Sequence, residues 1–202
     1  TSKVAPGREP SFTEAHVIKA LEIIGGGKAV GRIRLSKELG LGEGATRTLV
    51  KHLKNEGIIE VSRNGIGLLE YGEKLFSDLR SRISEEVEVP PSTLTVGSFN
   101  VAVLVRDAAS VVKTGLEQRD TAIKAGALGA TTLIFSRNRL TMPSVKGEDV
   151  FKGISSVHEM LVSKLHPKEN DIIVIGSGEN KRLAELGAKM AVFELLARLA
   201  LA

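Results

Sequence analysis

At 202 residues the chain is long enough for one sizeable domain or two small ones, and it has no cysteine, which excludes disulfides, iron–sulfur clusters and thiolate metal sites. Its four histidines, His16, His52, His158 and His166, show no metal-ligand spacing, and no cofactor is expected. With 28 Lys and Arg against 24 Asp and Glu the net charge is only +4. An aromatic content of 3% argues against a partner recognised by base stacking.

Residues 1–11 are polar, contain Pro6 and Pro10, and read as an arm. Ser11 or Thr13 caps a first helix whose inward face is Val17, Ile18, Ala20, Leu21 and Ile24. Gly25-Gly26-Gly27 stops it. A phosphate loop needs GxxxxGKS/T after a strand and opening a helix, and here the order is reversed. Ala29, Val30 and Ile33 are expected as a small strand.

From Arg32 to Gly72 the pattern is helix, tight turn, helix and two short strands. Leu35 and Leu39 face in, with Ser36 and Lys37 outside, and Gly40-Leu41-Gly42 breaks the helix. Thr46, Leu49, Val50 and Leu53 recur at helical spacing on the next one, which Gly57 ends. Ile58, Ile59 and Val61 form an apolar strand, Asn64-Gly65 a hairpin tip, and Leu68-Leu69 lead out. From Lys28 to Arg63 eight basic residues oppose four acids, an excess equal to the net charge of the whole chain.

This order, with LVKHLKNEGII followed by a glycine-tipped hairpin, resembles the winged helix-turn-helix of small transcription regulators. The resemblance implies that the second helix enters the major groove of duplex DNA and the wing touches the backbone. Arg47, Thr48, Lys51 and His52 then face outward. Arg47 is expected at a base edge, because a guanidinium pairs bidentately with guanine. Lys51, Lys54 and Arg63 suit phosphates, with Ser36 and Asn64 as further DNA contacts. A basic helix face is also what any solvated helix presents, and winged helices also bind proteins.

Tyr71 to Ile83 reads as a helix with Leu75, Phe76, Leu79 and Ile83 on one side. Ser84 to Ser92 is acidic and holds Pro90-Pro91, which places a linker at 85–94 between a domain over 12–84 and one over 95–202. The second domain begins with a strand, Asn100 to Val105. A helix follows from Gly115 to Leu128 with Leu116, Ala122, Ile123 and Ala127 inward. Strands Thr131 to Phe135 and Leu140 to Met142 form a hairpin. Next come a helix, Phe151 to Leu165, a strand, Asp171 to Ile175, and a last helix from Asn180. Leu183, Leu186, Met190, Phe193, Leu196 and Leu199 give that helix its apolar character, either as a core helix or docked at its end on a partner subunit. The expected fold class is α+β: an N-terminal winged helix-turn-helix domain followed by a small two-layer α/β sandwich with one sheet face covered.

Gly176-Ser177-Gly178 falls between a strand and a helix start, where free N–H groups and the helix dipole suit an anion, with Asn180 beside them. The same residues also make an ordinary tight turn. Arg106-Asp107 and Gln118-Arg119-Asp120 form a second polar cluster. No nucleophile, paired-carboxylate or metal arrangement is legible, so catalysis is not expected. The segments GLEQRDTAIKAGALGATTLIF and DIIVIGSGENKRLAELGAKMA, beside the winged module, resemble an uncharacterised family of archaeal two-domain proteins. Their second domain is similar to the GAD insert of aspartyl-tRNA synthetases.

The expected function is a transcription regulator that binds double-stranded DNA as a homodimer. Residues 95–202 would sense a small anionic effector, at Arg106, Asp107, Gln118, Arg119, Asp120, Gly176, Ser177, Gly178 and Asn180, or assemble the dimer. The rivals are a protein-binding scaffold and an anion-handling enzyme with a docking winged helix. No apolar run of membrane-spanning length and no signal peptide appear, so a cytoplasmic protein without membrane contact is expected.

Overall fold

The computed structural model describes residues 12–27, 29–143, 145 and 149–201, so the expected arm and Ser11 lie outside the described residues. The chain divides into two compact units, with the division between Phe76 and Ser77.

In the first unit, α1 (Glu14–Gly25) starts at Thr13, whose backbone N–H donates to His16 Nδ1 at 3.0 Å. That bond satisfies an otherwise open donor at the helix entry. Ala20, Leu21 and Ile24 of α1 pack with Leu35 and Leu39 of α2 (Arg32–Leu39) and Leu49, Val50 and Leu53 of α3 (Glu43–Asn55). Gly40 ends α2 at φ 66°, a left-handed conformation that glycine adopts without strain. β1 (Ile59–Ser62) and β2 (Gly65–Leu68) form the antiparallel wing, with Val61 opposite Ile66. Val30 bridges to Ile66, as the small strand expected there does, but Ile33 lies on α2 and is 81% exposed.

α4 (Glu70–Arg82) spans the division. Residues 85–94, expected as a linker, instead enter the sheet of the second unit. β3 (Val87–Glu88) pairs with β4 (Phe99–Val105), Val89 N donates to Asn100 O at 2.9 Å, and Val89 and Leu94 are core residues. The consecutive prolines stop this pairing only after Val89, and so end an edge strand rather than mark a spacer.

The remaining elements are α5 (Leu116–Lys124), β5 (Gly129–Ser136), β6 (Arg139–Thr141), α6 (Ser155–Leu165), β7 (Ile172–Gly178) and α7 (Lys181–Leu199). The sheet order is β3-β4-β7-β5-β6, with every neighbouring pair antiparallel. β7 is central, and Val174 lies between Val103 and Thr132. Because strand side chains alternate, Ile173 and Ile175 share one face with Ala102, Leu104, Leu133 and Phe135, beneath Val157, Leu161 and Leu165 of α6. α5 and α7 pack against the other face. Both faces are therefore covered, where one was expected.

Two helices differ from the sequence expectation in what they bury. α5 stops at Lys124, before Gly126 at φ 93°, and Leu116 and Ile123, expected inward, are each 47% exposed. On α7 the buried face is Ala184, Ala188, Ala191, Val192 and Leu195, not the leucine-rich stripe. The reason is distance. A Cβ at Gly176 would lie 2.3 Å from Ala184 O, and one at Gly178 would lie 2.5 Å from Ala184 N. Only small residues fit where helix and strand backbones come this close. Gly176→Ala is therefore expected to destabilise the protein by about 3 kcal/mol. The midpoint of urea unfolding measures this; an unchanged midpoint would contradict the packing role.

Candidate nucleic-acid interface

The first unit spends its apolar periodicity inward and leaves one polar helix face. On α3 the buried set is Thr46, Leu49, Val50 and Leu53. At 100° per residue, the opposite side carries Gly44, Arg47, Thr48, Lys51, His52 and Asn55, and all are exposed. Arg47, Lys51 and Lys54 recur at four and three residues, which lines them up along 10 Å or so of helix. Neither these three nor Arg63 has an ion-pair partner among the described residues, whereas Arg34 on α2 pairs with Glu38 at 2.6 Å. Space beyond Gly42 and Gly44 is open, so nothing crowds the start of the helix.

The other expected contacts fall around this face with different duties. Ser36 is half-buried, and its Oγ donates to Leu41 O at 2.7 Å, closing the turn between α2 and α3. Its proton is engaged in the turn. Thr48 donates back to Gly44 O at 3.0 Å and keeps its oxygen exposed. His52 sits beside Phe12, with ring centroids 6.4 Å apart. At the wing tip Arg63 and Asn64 are exposed, and Ser62 Oγ shapes the turn by accepting from Asn64 N at 3.1 Å and donating to Gly65 O at 3.2 Å. Gly44 and Asn55 share the outward face but were missed by the sequence reading. Helical periodicity around the buried set was the available signal.

The residues singled out in the second unit do not converge. Arg106 Nη1 donates to Asp171 Oδ2 at 2.6 Å and to His166 O at 3.2 Å. Asp171, buried, also accepts from the backbone N–H of Asp107 at 3.0 Å and of Lys168 at 2.8 Å. Gln118 is buried and donates to Glu194, while Arg119 and Asp120 pair with each other on the surface at 2.9 Å. Gly176, Ser177 and Gly178 are not in a loop. They lie in β7, opposite Val101, Asn100 and Phe99 on one side, and Ser177 Oγ donates to Asn100 Oδ1 at 2.7 Å. Their backbone groups belong to the ladder, which is the physical reason they form no anion cradle. Asn180 caps α7 by accepting from Leu183 N at 3.0 Å. Lys181 is held by Glu88, and the hydrogen bond to that carboxylate raises its pKa. A cleft of about 640 Å³, bordered by Arg139, Ser155 and His158, contains none of the expected ligand residues.

Two family models match the chain. Residues 16–83 match the CggR N-terminal DNA binding domain. The N-terminal unit is a helical DNA-binding domain. Residues 96–195 match a domain of unknown function, DUF4443, and this sheet-containing domain follows the DNA-binding one. A solved structure of a hypothetical protein from Pyrococcus horikoshii OT3 is similar over 93% of this chain and 95% of that one, with 25% identity and a TM-score of 0.71. No curated protein matches. Among the described residues, no helix is long and apolar enough to cross a membrane.

Removing either partner of the Asp171 cluster separates a fold role from a ligand role. Asp171→Ala leaves Arg106 and two backbone donors without their acceptor and is expected to cost about 3 kcal/mol, against about 1 kcal/mol for the more exposed Arg106→Ala. Urea unfolding measures both. In the first unit, Ser36→Ala is expected to lower stability by about 1 kcal/mol and to leave duplex affinity at fixed salt unchanged. A loss of affinity in the folded variant would return Ser36 to the DNA contacts.

Proposed function

We propose that the protein is a transcription regulator that grips duplex DNA through α3 and the wing and works as a homodimer assembled by its second unit. The observation that carries this reading is the unpaired basic face of α3, within the segment that matches a DNA-binding domain. Arg47, near the start of the recognition helix, reads a base edge, with guanine the geometric match for its fork. Thr48 lies beside it. Lys51, Lys54 and the wing residues Arg63 and Asn64 hold phosphates, and His52 borders the contact. A dimer follows from energetics, since one such module contacts too few base pairs for useful specificity and two half-sites supply the rest.

The second unit is read as the assembly unit, and its likeness to the GAD insert is carried as part of this proposal. An anionic effector at Gly176–Asn180 is not, because those backbone groups pair in the sheet and Lys181 is taken by Glu88.

Incubating the purified protein with random genomic duplexes at two salt concentrations, and sequencing what is retained, tests the reading. The expected result is a palindromic motif whose retention falls steeply with salt. Arg47→Ala is expected to weaken specific binding roughly 10-fold or more and to relax the preference at one base pair in each half-site. Lys51→Ala is expected to weaken all sequences alike and to reduce the salt slope by about one unit. No retention at low salt would replace DNA with a protein partner for this face.

A further inference from the structure

α7 is apolar on both sides. Its inward face carries small residues, Ala184, Ala188 and Ala191 among them, against the sheet. Its outward face carries Leu183, Leu186, Met190, Phe193, Ala197 and Ala200, half-buried or exposed, with Phe193 37% exposed. The intervals between these six are three, four, three, four and three residues. That is the seam of a coiled coil, a pattern cut for another helix rather than for solvent. No charge interrupts it. Glu185 and Lys189 are buried on one flank, where Lys189 pairs with Glu86 at 2.8 Å, and Glu194 and Arg198 pair on the other.

The sizes along the seam identify the helix that fits. Its first half is large, Leu183 and Leu186, its centre is Met190 and Phe193, and its second half is small, Ala197 and Ala200. Against an antiparallel copy of itself, Leu183 meets the partner's Ala200, Leu186 the partner's Ala197, and Met190 the partner's Phe193. Large side chains oppose small ones in the outer layers, and a thioether meets a ring at the centre. A parallel copy would stack leucine on leucine and alanine on alanine, overfilled at one end and hollow at the other. α5 runs antiparallel beside α7, with Glu117 against Arg198, Gln118 joined to Glu194 and Ala122 beside Gly187, and leaves the outward face of α7 uncovered.

We infer that the outward face of α7 is the two-fold interface between two copies of this chain, packed as an antiparallel helix pair. This rests on the dimeric reading above and names the surface that forms the dimer. The interface is isologous, so it closes at two copies.

Sedimentation of the full chain without DNA is the test. The wild type is expected at dimer mass at micromolar concentration. Met190→Glu is expected to run as a monomer, with dissociation at least about 100-fold easier and an unchanged circular dichroism spectrum. Because the chain has no cysteine, cross-linking provides a second measurement independent of how well that variant folds. Leu186→Cys with Ala197→Cys is expected to form a covalent dimer on oxidation. Neither single variant should, since like positions stand about 16 Å apart in an antiparallel pair. A monomeric wild type, a dimer that survives Met190→Glu, or cross-linking by a single variant would each overturn the proposal. A monomeric wild type would overturn the dimeric reading as well, whereas a dimer that survives Met190→Glu or cross-links through a single variant overturns this interface alone; the grip of α3 on duplex DNA is tested separately by the retention experiment.

Discussion

The second unit is organised by how closely the backbone of α7 approaches the backbone of β7. Contact at that range is possible only because Gly176 and Gly178 have no side chain where Ala184 and Ala188 lie. Three consequences follow. The glycines extend the central strand, so their N–H groups are committed to sheet pairing. The helix must turn its alanines inward, since leucine would not fit. Leu183 and Leu186, beside this contact, then lie away from the strand, while Val192 and Leu195 beyond it are buried.

The first unit obeys a different constraint, the sharp turn between α2 and α3. Gly40 reverses the chain in a left-handed conformation, and Ser36 pins Leu41 across the turn. With both helices fixed by Leu35, Leu39, Leu49 and Leu53, the orientation of α3 is set by packing alone. Its polar face is whatever remains. That this remainder is basic and unpaired is a property of the sequence that folding does not require. A purely structural helix would be as stable with Arg47 and Lys51 replaced by glutamine.

What could be read beforehand follows the same division. α3 was legible because its apolar residues occupy one side only, so helical periodicity assigns each position. α7 was not, because a helix apolar on both sides has no periodicity to decide which face is buried, and a core helix and one docked on a partner subunit read alike. The strand at Val87–Glu88 was hidden by the prolines that follow it, although Val87 and Val89 already alternate with Glu86 and Glu88. Gly176-Ser177-Gly178 has the composition of a turn in one dimension and of a close contact in three. Only the position of Ala184 distinguishes them. Asp171, the first residue of the strand expected over Asp171 to Ile175, carries no signal of its role in sequence, yet it holds Arg106 and two loop amides together.

Charge pairing separates the expected anion sites of the second unit from the basic face of α3. In the second unit the cations at or beside the expected anion sites are already occupied: Arg106 by Asp171, Arg119 by Asp120, Lys181 by Glu88. An incoming small anion would have to displace a carboxylate held at contact distance, and gains little by doing so. On α3 and the wing the cations Arg47, Lys51, Lys54 and Arg63 face solvent with no such competitor among the described residues. A polyanion meeting that surface releases its own counterions without breaking any protein ion pair, which is the condition under which even a modest excess of positive charge binds.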